Sequence, residues 1–205
     1  MTTDTTDIDD LDKRRSRLIV AFSKAVGEQG YSRLDVERVS RYAGLPPEAF
    51  YEQFANVEEA LVAAQEAFLG RLWSEVTTAC EEVAVWPFRV RAVVAAVVES
   101  LVESSSLSRV FAIEAPAASL AAAERQFAAL DRLAGLLAEG RKRYPQAARL
   151  PAITERVLVG GGVSVIAQYL LAEDPKTISA LQEQLVEVLL SPYLGELEAR
   201  RVAVG

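Results

Sequence analysis

The sequence predicts an all-α protein, because its apolar residues follow helical spacing and its segments are separated by proline and glycine. Apolar side chains recur every three or four positions along most of the 205 residues, and no segment gives a convincing strand. Hydrophobic residues make up 51% of the chain and charged residues 25%, so the chain can bury a large core. This composition excludes global disorder.

The N-terminal third reads as an acidic tail followed by three helices. Residues 1–12 carry five aspartates, and their composition predicts a disordered, solvated tail. A helix follows from Lys13, with Leu18, Phe22 and Val26 on one face, and it ends near Gly30. A second, short helix ends at Gly44, and Pro47 is suited to the first position of a third.

The remaining elements are longer. Asn56 is placed to cap a fourth helix that runs from about residue 57 to 83, and Trp86-Pro87 precedes a fifth with charge on only one narrow strip. A short helix is expected before Pro116, and long helices are expected at about 120–144, 152–172 and 176–190. The last of these is expected to end before Pro192.

Charge and residue usage exclude several classes of protein. The 22 basic and 29 acidic side chains give a net charge of −7. This excludes a polycation that binds nucleic acids nonspecifically through its overall charge, although a local basic patch is still possible. The chain has no histidine and one cysteine, Cys80, which excludes histidine-based nucleophile systems and intramolecular disulfides. We therefore expect a protein that is not an enzyme and uses no cofactor or metal.

The sequence also predicts a cytoplasmic protein. The N-terminus has acidic residues where a secretory signal needs basic ones. The longest uncharged stretch, residues 157–172, has sixteen residues, fewer than the roughly 20 that a membrane span needs. A soluble protein without a membrane partner is expected.

Residues 30–61 contain the most specific pattern, two short helices joined at Gly44-Leu45 in the proportions of a helix-turn-helix. The segment GYSRLDVERVSRYAGLPPEAFYEQFANVEEAL is similar to the DNA-binding region of TetR-family transcriptional regulators. The matching positions are Gly30, Tyr31, Val36, Val39, Ala43, Gly44, Leu45, Phe50, Tyr51, Phe54, Glu58 and Leu61. The resemblance implies a helix-turn-helix DNA-binding domain over 13–56 and a helical ligand-binding and dimerisation domain over 57–205.

The charges of this region are divided between its helices. Residues 13–44 hold eight basic and three acidic side chains, whereas residues 45–60 hold four acidic and no basic ones. Attraction to DNA phosphates is therefore expected from the first two helices. The candidate DNA-binding residues are Arg14, Arg15, Arg17, Arg33, Arg38 and Arg41, with Pro47, Glu48, Tyr51 and Gln53 on the predicted recognition helix. Tyr51 is expected to pack beside Phe54 and to donate its hydroxyl to a phosphate.

Four positions depart from the pattern that the resemblance implies. The family usually has a small hydroxyl residue at Pro46, a small residue at Glu48, a histidine at Gln53 and a lysine at Val57. Glu48 can accept a hydrogen bond from a cytosine amino group but is otherwise repelled by phosphates. These departures keep a second interpretation open, in which the fold is retained and specific DNA binding is lost.

The resemblance also implies a small-molecule effector and a homodimer. Aromatic and polar residues of the C-terminal half are candidates for the wall of an apolar pocket. These residues are Trp86, Phe88, Phe111, Glu114, Gln126, Phe127, Gln168 and Tyr169. The candidate dimer interface comprises a small-residue seam and a leucine-valine stripe, formed by Gly161, Ser164, Ala167, Leu181, Leu185 and Val188. The same small residues also suit close packing within one chain.

The sequence therefore predicts a ligand-responsive transcriptional regulator, most simply a repressor. It is expected to bind a palindromic operator in double-stranded DNA as a homodimer and to be released by a small apolar effector. The alternative is a helical small-molecule-binding or interaction protein.

Overall fold

The computed structural model describes residues 3–103, 108, 110–171 and 175–205, and these residues form helices and turns without a strand. The all-α prediction is confirmed. The helices are α1 Thr3–Gln29, α2 Val36–Ala43, α3 Pro47–Tyr51, α4 Val57–Glu82, α5 Trp86–Glu103, α6 Ala115–Ala118, α7 Leu120–Ala138, α8 Thr154–Leu171, α9 Pro175–Leu194 and α10 Glu196–Val204. Within the described ranges, no helix is long and apolar enough to cross a bilayer.

The chain divides into two compact units, and the division differs from the boundary expected at residue 56. The N-terminal unit comprises Met1–Phe68 and Ser105–Ala123, and the C-terminal unit comprises Leu69–Ser104 and Glu124–Gly205. The N-terminal unit thus includes the start of α4 and a later segment of the chain. That later segment adds Val110, Ala115 and Ala122 to the unit's apolar core. A single boundary along the sequence does not include this segment, because it is far from the first helices in the chain.

Residues 3–12 differ from the expected disordered tail, because α1 begins at Thr3. Aspartates in the first turns of a helix are stabilised by the macrodipole, whose N-terminal end is positive. A composition rich in aspartate therefore fits a helix start as well as a solvated tail. Residues 1 and 2 lie outside the described part of the chain.

The N-terminal unit is built around aromatic and aliphatic side chains from its first four helices. Leu18, Phe22 and Val26 of α1 are fully buried. The rings of Phe50 and Phe54 lie 5.4 Å apart in the same core. The apolar stripe that predicted α1 therefore faces this core, which fixes α2 and α3 against α1.

The C-terminal unit is centred on Trp86, at the start of α5. Its indole is 1% exposed, and its ring lies 5.5 Å from that of Tyr144 and 5.0 Å from that of Tyr193. The indole N–H donates to the carbonyl of Leu136 at 3.3 Å. A buried tryptophan needs such a partner for its N–H.

The end of the chain differs from the sequence-based expectation. α9 continues through Pro192 to Leu194, and Gly195 then ends it with a φ of 80°. α10 follows and buries Ala199, Val202 and Ala203, so a further helix completes the unit. This helix was not predicted, because only three of its five apolar residues are buried and the other two, Leu197 and Val204, are exposed, so its apolar residues do not mark a single face.

α7 ends at Ala138, earlier than the expected residue 144, and the chain tightens into a 3₁₀ turn at Glu139–Lys142. Gly140 lies in this turn against the aromatic cluster. A Cβ atom at Gly140 would lie 2.4 Å from the Trp86 ring and 2.8 Å from the Tyr193 ring. Only glycine permits this close approach without moving a buried ring.

Replacing Gly140 by alanine is expected to destabilise the protein by about 1–3 kcal/mol, because the added methyl group overpacks the aromatic cluster. Urea unfolding followed by circular dichroism measures this change. The control is Gly135→Ala in α7, where a Cβ meets nothing within 4 Å and helix propensity favours alanine by up to about 1 kcal/mol. Equal stability of the two variants would contradict tight packing around Trp86.

Candidate DNA-binding and ligand-binding sites

α2 and α3 form the predicted helix-turn-helix. Asp35 caps α2, since its carboxylate accepts from the backbone N–H of Arg38 at 2.8 Å. Gly44 ends α2 in the left-handed conformation, with φ 62° and ψ 39°. The N–H of Leu45 then donates to the carbonyl of Ser40 at 3.0 Å, which closes the turn.

α3, the predicted recognition helix, ends at Tyr51, before Gln53, which was expected on it, and it exposes an acidic and an aromatic side chain. Pro47 occupies its first turn and is half-buried, Glu48 is exposed, and Tyr51 is 60% exposed. The Tyr51 ring packs edge-on against Phe50 at 5.9 Å, whereas we expected it beside Phe54. Glu48 and the Tyr51 hydroxyl are therefore available to a DNA duplex.

Arg14 and Arg15 of α1 contact the residues that directly follow α3. Arg15 donates from Nη1 to the carbonyl of Gln53 at 3.0 Å, and its guanidinium lies 4.6 Å from the centre of the Phe54 ring. Arg14 Nη1 lies 3.5 Å from a carboxylate oxygen of Glu52. Arg15 thus has a structural role that the sequence did not reveal.

Arg38 belongs to a polar cluster where α1 meets α2. Its Nη1 donates to Oε1 of Gln29 at 2.9 Å and to the carbonyl of Arg33 at 3.0 Å, and its Nε lies 3.6 Å from Asp35. The Tyr42 hydroxyl in the same cluster donates to Glu28 at 2.5 Å. That hydrogen bond raises the pKa of Tyr42, so the hydroxyl stays protonated.

The other three candidate arginines of the N-terminal unit differ from Arg14, Arg15 and Arg38 in their exposure. Arg17, Arg33 and Arg41 are exposed, and within the described residues their guanidinium groups form no ion pair. Arg17 lies beside the turn, since its Nη2 is 3.1 Å from the position of a Cβ at Gly44. These three side chains are suited to contact phosphates.

The C-terminal unit contains an apolar cavity. Five valines of α5 form one wall, and α7, α8 and α9 provide the others. The aliphatic lining residues are Val90, Val93, Val94, Val97, Val98, Leu133, Leu136, Leu137, Leu158, Val159, Val163, Ile166, Leu185 and Leu189. A cavity with such an aliphatic lining suits an apolar ligand.

Polar lining is confined to a few side chains. Arg89 and Glu139 form an ion pair at 3.3 Å, and Cys80 also lines the cavity. Burial raises the pKa of the Cys80 thiol above its ordinary value, and a protonated thiol is a poor nucleophile.

The structure does not bring the predicted ligand residues together. Trp86 lines the cavity, but Phe88 is 44% and Phe127 is 62% exposed. Gln126 is buried, Gln168 is exposed and Tyr169 is half-buried, and none of the three lines the cavity. Aromatic residues were expected to form the wall, whereas branched aliphatic side chains do so.

Phe111 and Glu114 belong to the N-terminal unit. Phe111 stacks on Phe68 with ring centres 4.9 Å apart. Glu114 lies in a π-helical turn, Val110–Glu114, and its carboxylate accepts from the N–H of Tyr31 at 3.2 Å. Both residues therefore stabilise the N-terminal unit and do not contribute to the cavity.

The predicted dimer residues fall into two groups. Gly161 and Ser164 are exposed on α8, Ala167 is half-buried and Val188 of α9 is 56% exposed. Leu181 is buried within the chain and Leu185 lines the cavity, so these two do not form the expected outer stripe. Two valines that the sequence did not single out, Val157 and Val165, share the exposed face of α8.

Comparison with solved structures identifies the fold. The fatty acid degradation regulator FadR from Bacillus halodurans superposes with a TM-score of 0.74 at 22% identity, over 88% of this chain and 94% of that one. A TetR-family regulator from Syntrophomonas wolfei superposes with a TM-score of 0.67 at 16% identity, over 95% of this chain and 96% of that one. The chain has the TetR-family fold.

FadR from Bacillus subtilis, solved in complex with stearoyl-CoA, also has this fold. It gives a TM-score of 0.70 at 20% identity, over 88% of this chain and 98% of that one. No protein-family model and no curated protein sequence matches the chain. The likeness is therefore one of three-dimensional structure.

Sequence reasoning missed the valine wall of this TetR-family fold, although a signal was present. Val90, Val93, Val94, Val97 and Val98 recur at the three- and four-residue spacing of one helix face. This pattern indicates burial, but it does not distinguish a packed core from a cavity wall. The space beside these valines depends on side chains from three other helices.

Replacing Arg15 by glutamine is expected to lower the free energy of unfolding by about 1 kcal/mol, because the variant loses the bond to Gln53 and the contact with Phe54. Arg17→Gln, at an exposed position of the same helix, is expected to change stability by less than about 0.5 kcal/mol. Chemical denaturation compares the two variants. Equal losses of stability would show that Arg15 is only a surface charge.

Proposed function

We propose that this protein is a ligand-responsive transcriptional regulator of the TetR family that binds DNA as a homodimer. Its helix-turn-helix, with three exposed arginines beside it, supports the DNA-binding part of the proposal. The apolar cavity of the C-terminal unit supports the effector part. The simplest mode of action is repression at a palindromic operator, with release by the effector.

In the DNA complex, one surface would contact the phosphates and another would contact the bases. Arg17, Arg33 and Arg41 would neutralise phosphates and set the affinity, which makes binding strongly dependent on salt. α3 would lie in the major groove, where Glu48 can accept from a cytosine amino group and Tyr51 can donate to a phosphate. Two copies would meet half-sites about 34 Å apart.

The effector would be a molecule with a substantial apolar group. The cavity lining offers aliphatic side chains over nearly all of its surface, so the hydrophobic effect would supply most of the affinity. The stearoyl-CoA complex of the structurally similar Bacillus subtilis FadR supports an acyl chain as the apolar group. An effector of this kind needs no metal or cofactor to bind.

The exposed face of α8 is the proposed centre of the dimer. Val157 is 61% and Val165 is 37% exposed, and Gly161 and Ser164 lie between them on the same helix face. Apolar and small residues on one face suit close packing against a second copy of the helix. Val188 of α9 extends the candidate surface.

A second candidate function is small-molecule binding without specific DNA recognition. Arg14, Arg15 and Arg38 are engaged by groups of the protein itself, and residues 45–60 carry four acidic and no basic side chains. Both features reduce the charge that the helix-turn-helix offers to phosphates. The affinity for DNA flanking the protein's own gene, compared with the affinity for unrelated DNA, distinguishes the two functions.

The DNA-binding proposal predicts a steep salt dependence that the three exposed arginines control. Mobility-shift or anisotropy titrations of DNA flanking the protein's own gene measure the slope of log K against log salt. Replacing Arg17, Arg33 and Arg41 together by glutamine removes six phosphate contacts per dimer and should flatten the slope by about 5. The charge-matched control replaces Arg143, Arg149 and Arg201 of the C-terminal unit. Equal slopes in the two triple variants would contradict the assignment of the phosphate contacts, and no preference of the wild type for this DNA over unrelated DNA would favour the second function.

Replacing Gly161 by leucine is expected to convert the dimer to a folded monomer. A Cβ at Gly161 meets nothing within 4 Å in the same chain, so the larger side chain fits the monomer but would block close approach of a second α8. Light scattering measures the molar mass. Gly70→Leu is the matched control, because that exposed position on α4 is equally open. A Gly161→Leu protein that stays dimeric would place the interface elsewhere.

A further inference from the structure

The charged groups of the cavity lie at one place in its wall. Of its described lining residues, Arg89 and Glu139 are the charged ones, and the remainder are apolar apart from Cys80 and Gly162. The valine wall extends from Val90 to Val98, about 12 Å along α5 at 1.5 Å per residue. A ligand lying along this wall can therefore place a charge favourably only beside Arg89 and Glu139.

Arg89 is held in a fixed orientation by the end of α4. Its Nε donates to the carbonyl of Val83 at 2.9 Å, and its Nη2 donates to the carbonyl of Ala84 at 3.0 Å. Nη1 donates to Oε2 of Glu139 at 3.3 Å. These contacts use three of the five N–H donors that a guanidinium carries. The side chain is 22% exposed, so it is largely shielded from water.

Glu139 is a replaceable partner of this guanidinium. Its side chain is 41% exposed, and it contacts Arg89 through one oxygen at a long distance. Partly exposed ion pairs of this kind contribute little to stability. Rotation of Glu139 towards solvent would therefore cost little and would leave Nη1 open to another carboxylate.

We propose that the cavity binds a single-chain amphiphile with a terminal carboxylate, and that this carboxylate takes the place of Glu139 on Arg89. The chain then lies along Val90, Val94 and Val97 of α5. The inference rests on the proposed function, in which this cavity receives an apolar effector, and it adds the chemistry of the head group.

A carboxylate fits Arg89 better than a neutral head group does. Its two oxygens match the planar fork of a guanidinium, and the charge-assisted bonds are stronger than those to a hydroxyl. An alcohol in the same position would meet an ion pair that is already satisfied. Glu139 would also repel an arriving carboxylate, so its charge sets how strongly the anion binds.

Calorimetric titration of the full chain with dodecanoate and with 1-dodecanol, both below their micelle concentrations and near neutral pH, tests this proposal. The wild type is expected to bind dodecanoate about tenfold more tightly, a difference of about 1.4 kcal/mol. Glu139→Gln should strengthen dodecanoate binding by about threefold further and leave dodecanol binding unchanged. Arg89→Gln should remove the preference for dodecanoate.

Two controls keep the outcomes separate. Arg91→Gln changes a neighbouring arginine of α5 that donates to the carbonyl of Val202 and does not line the cavity, so both affinities should match the wild type. Because Arg89 also holds the end of α4, circular dichroism must show that Arg89→Gln is folded. Should that variant unfold, the Glu139→Gln titration decides alone.

Equal binding of the acid and the alcohol, with no change in Glu139→Gln, would overturn the carboxylate proposal and leave an apolar effector in place. Absence of binding by both probes would overturn the effector part of the proposed function together with this inference. Stronger binding of both probes by Glu139→Gln would show that the side chain only obstructs entry, which also contradicts the proposal.

Discussion

The buried carboxylate of Glu155 is the constraint on which the C-terminal unit depends. Arg141 donates to both of its oxygens at 2.7 and 2.8 Å, and the Tyr193 hydroxyl donates at 2.5 Å. The hydrogen bonds from Arg141 hold the pKa of Glu155 below its ordinary value, so its stabilising contribution is lost only as the pH falls into the acidic range. Because Glu155 lies on α8 and Tyr193 on α9, the network fixes these helices, and Tyr193 in turn supports Trp86 at the cavity wall.

Two arginines of α1 differ in their surroundings. Arg15 contacts the carbonyl of Gln53 and the Phe54 ring, which directly follow α3, whereas Arg17 is exposed beside the turn. The two residues are two positions apart on α1, and therefore they point in different directions. A count of charges treats them alike, but in the structure Arg15 is engaged by the protein itself and Arg17 is exposed.

Local patterns predicted most of the helices and the helix-turn-helix, because caps, glycine stops and apolar stripes act over a few residues. Asn56 caps α4 as expected, and Gly44 ends α2. The cavity was not predicted, because its shape depends on side chains from distant segments, such as Val94 and Leu185. For the same reason, sequence reasoning assigned Phe127 to a pocket although it is 62% exposed, and it assigned Leu185 to a dimer interface although it lines the cavity.

The central claim is that a ligand in the C-terminal cavity changes the affinity of the N-terminal unit for DNA. The direct measurement is the DNA affinity of the full chain with and without a saturating probe, dodecanoate or 1-dodecanol, whichever calorimetry shows to bind more tightly. The account predicts that the probe weakens DNA binding by about 5- to 150-fold, the usual range of coupling between two sites, and that the cavity-filling variant Val94→Phe loses this response. An unchanged DNA affinity in the presence of bound probe would contradict it.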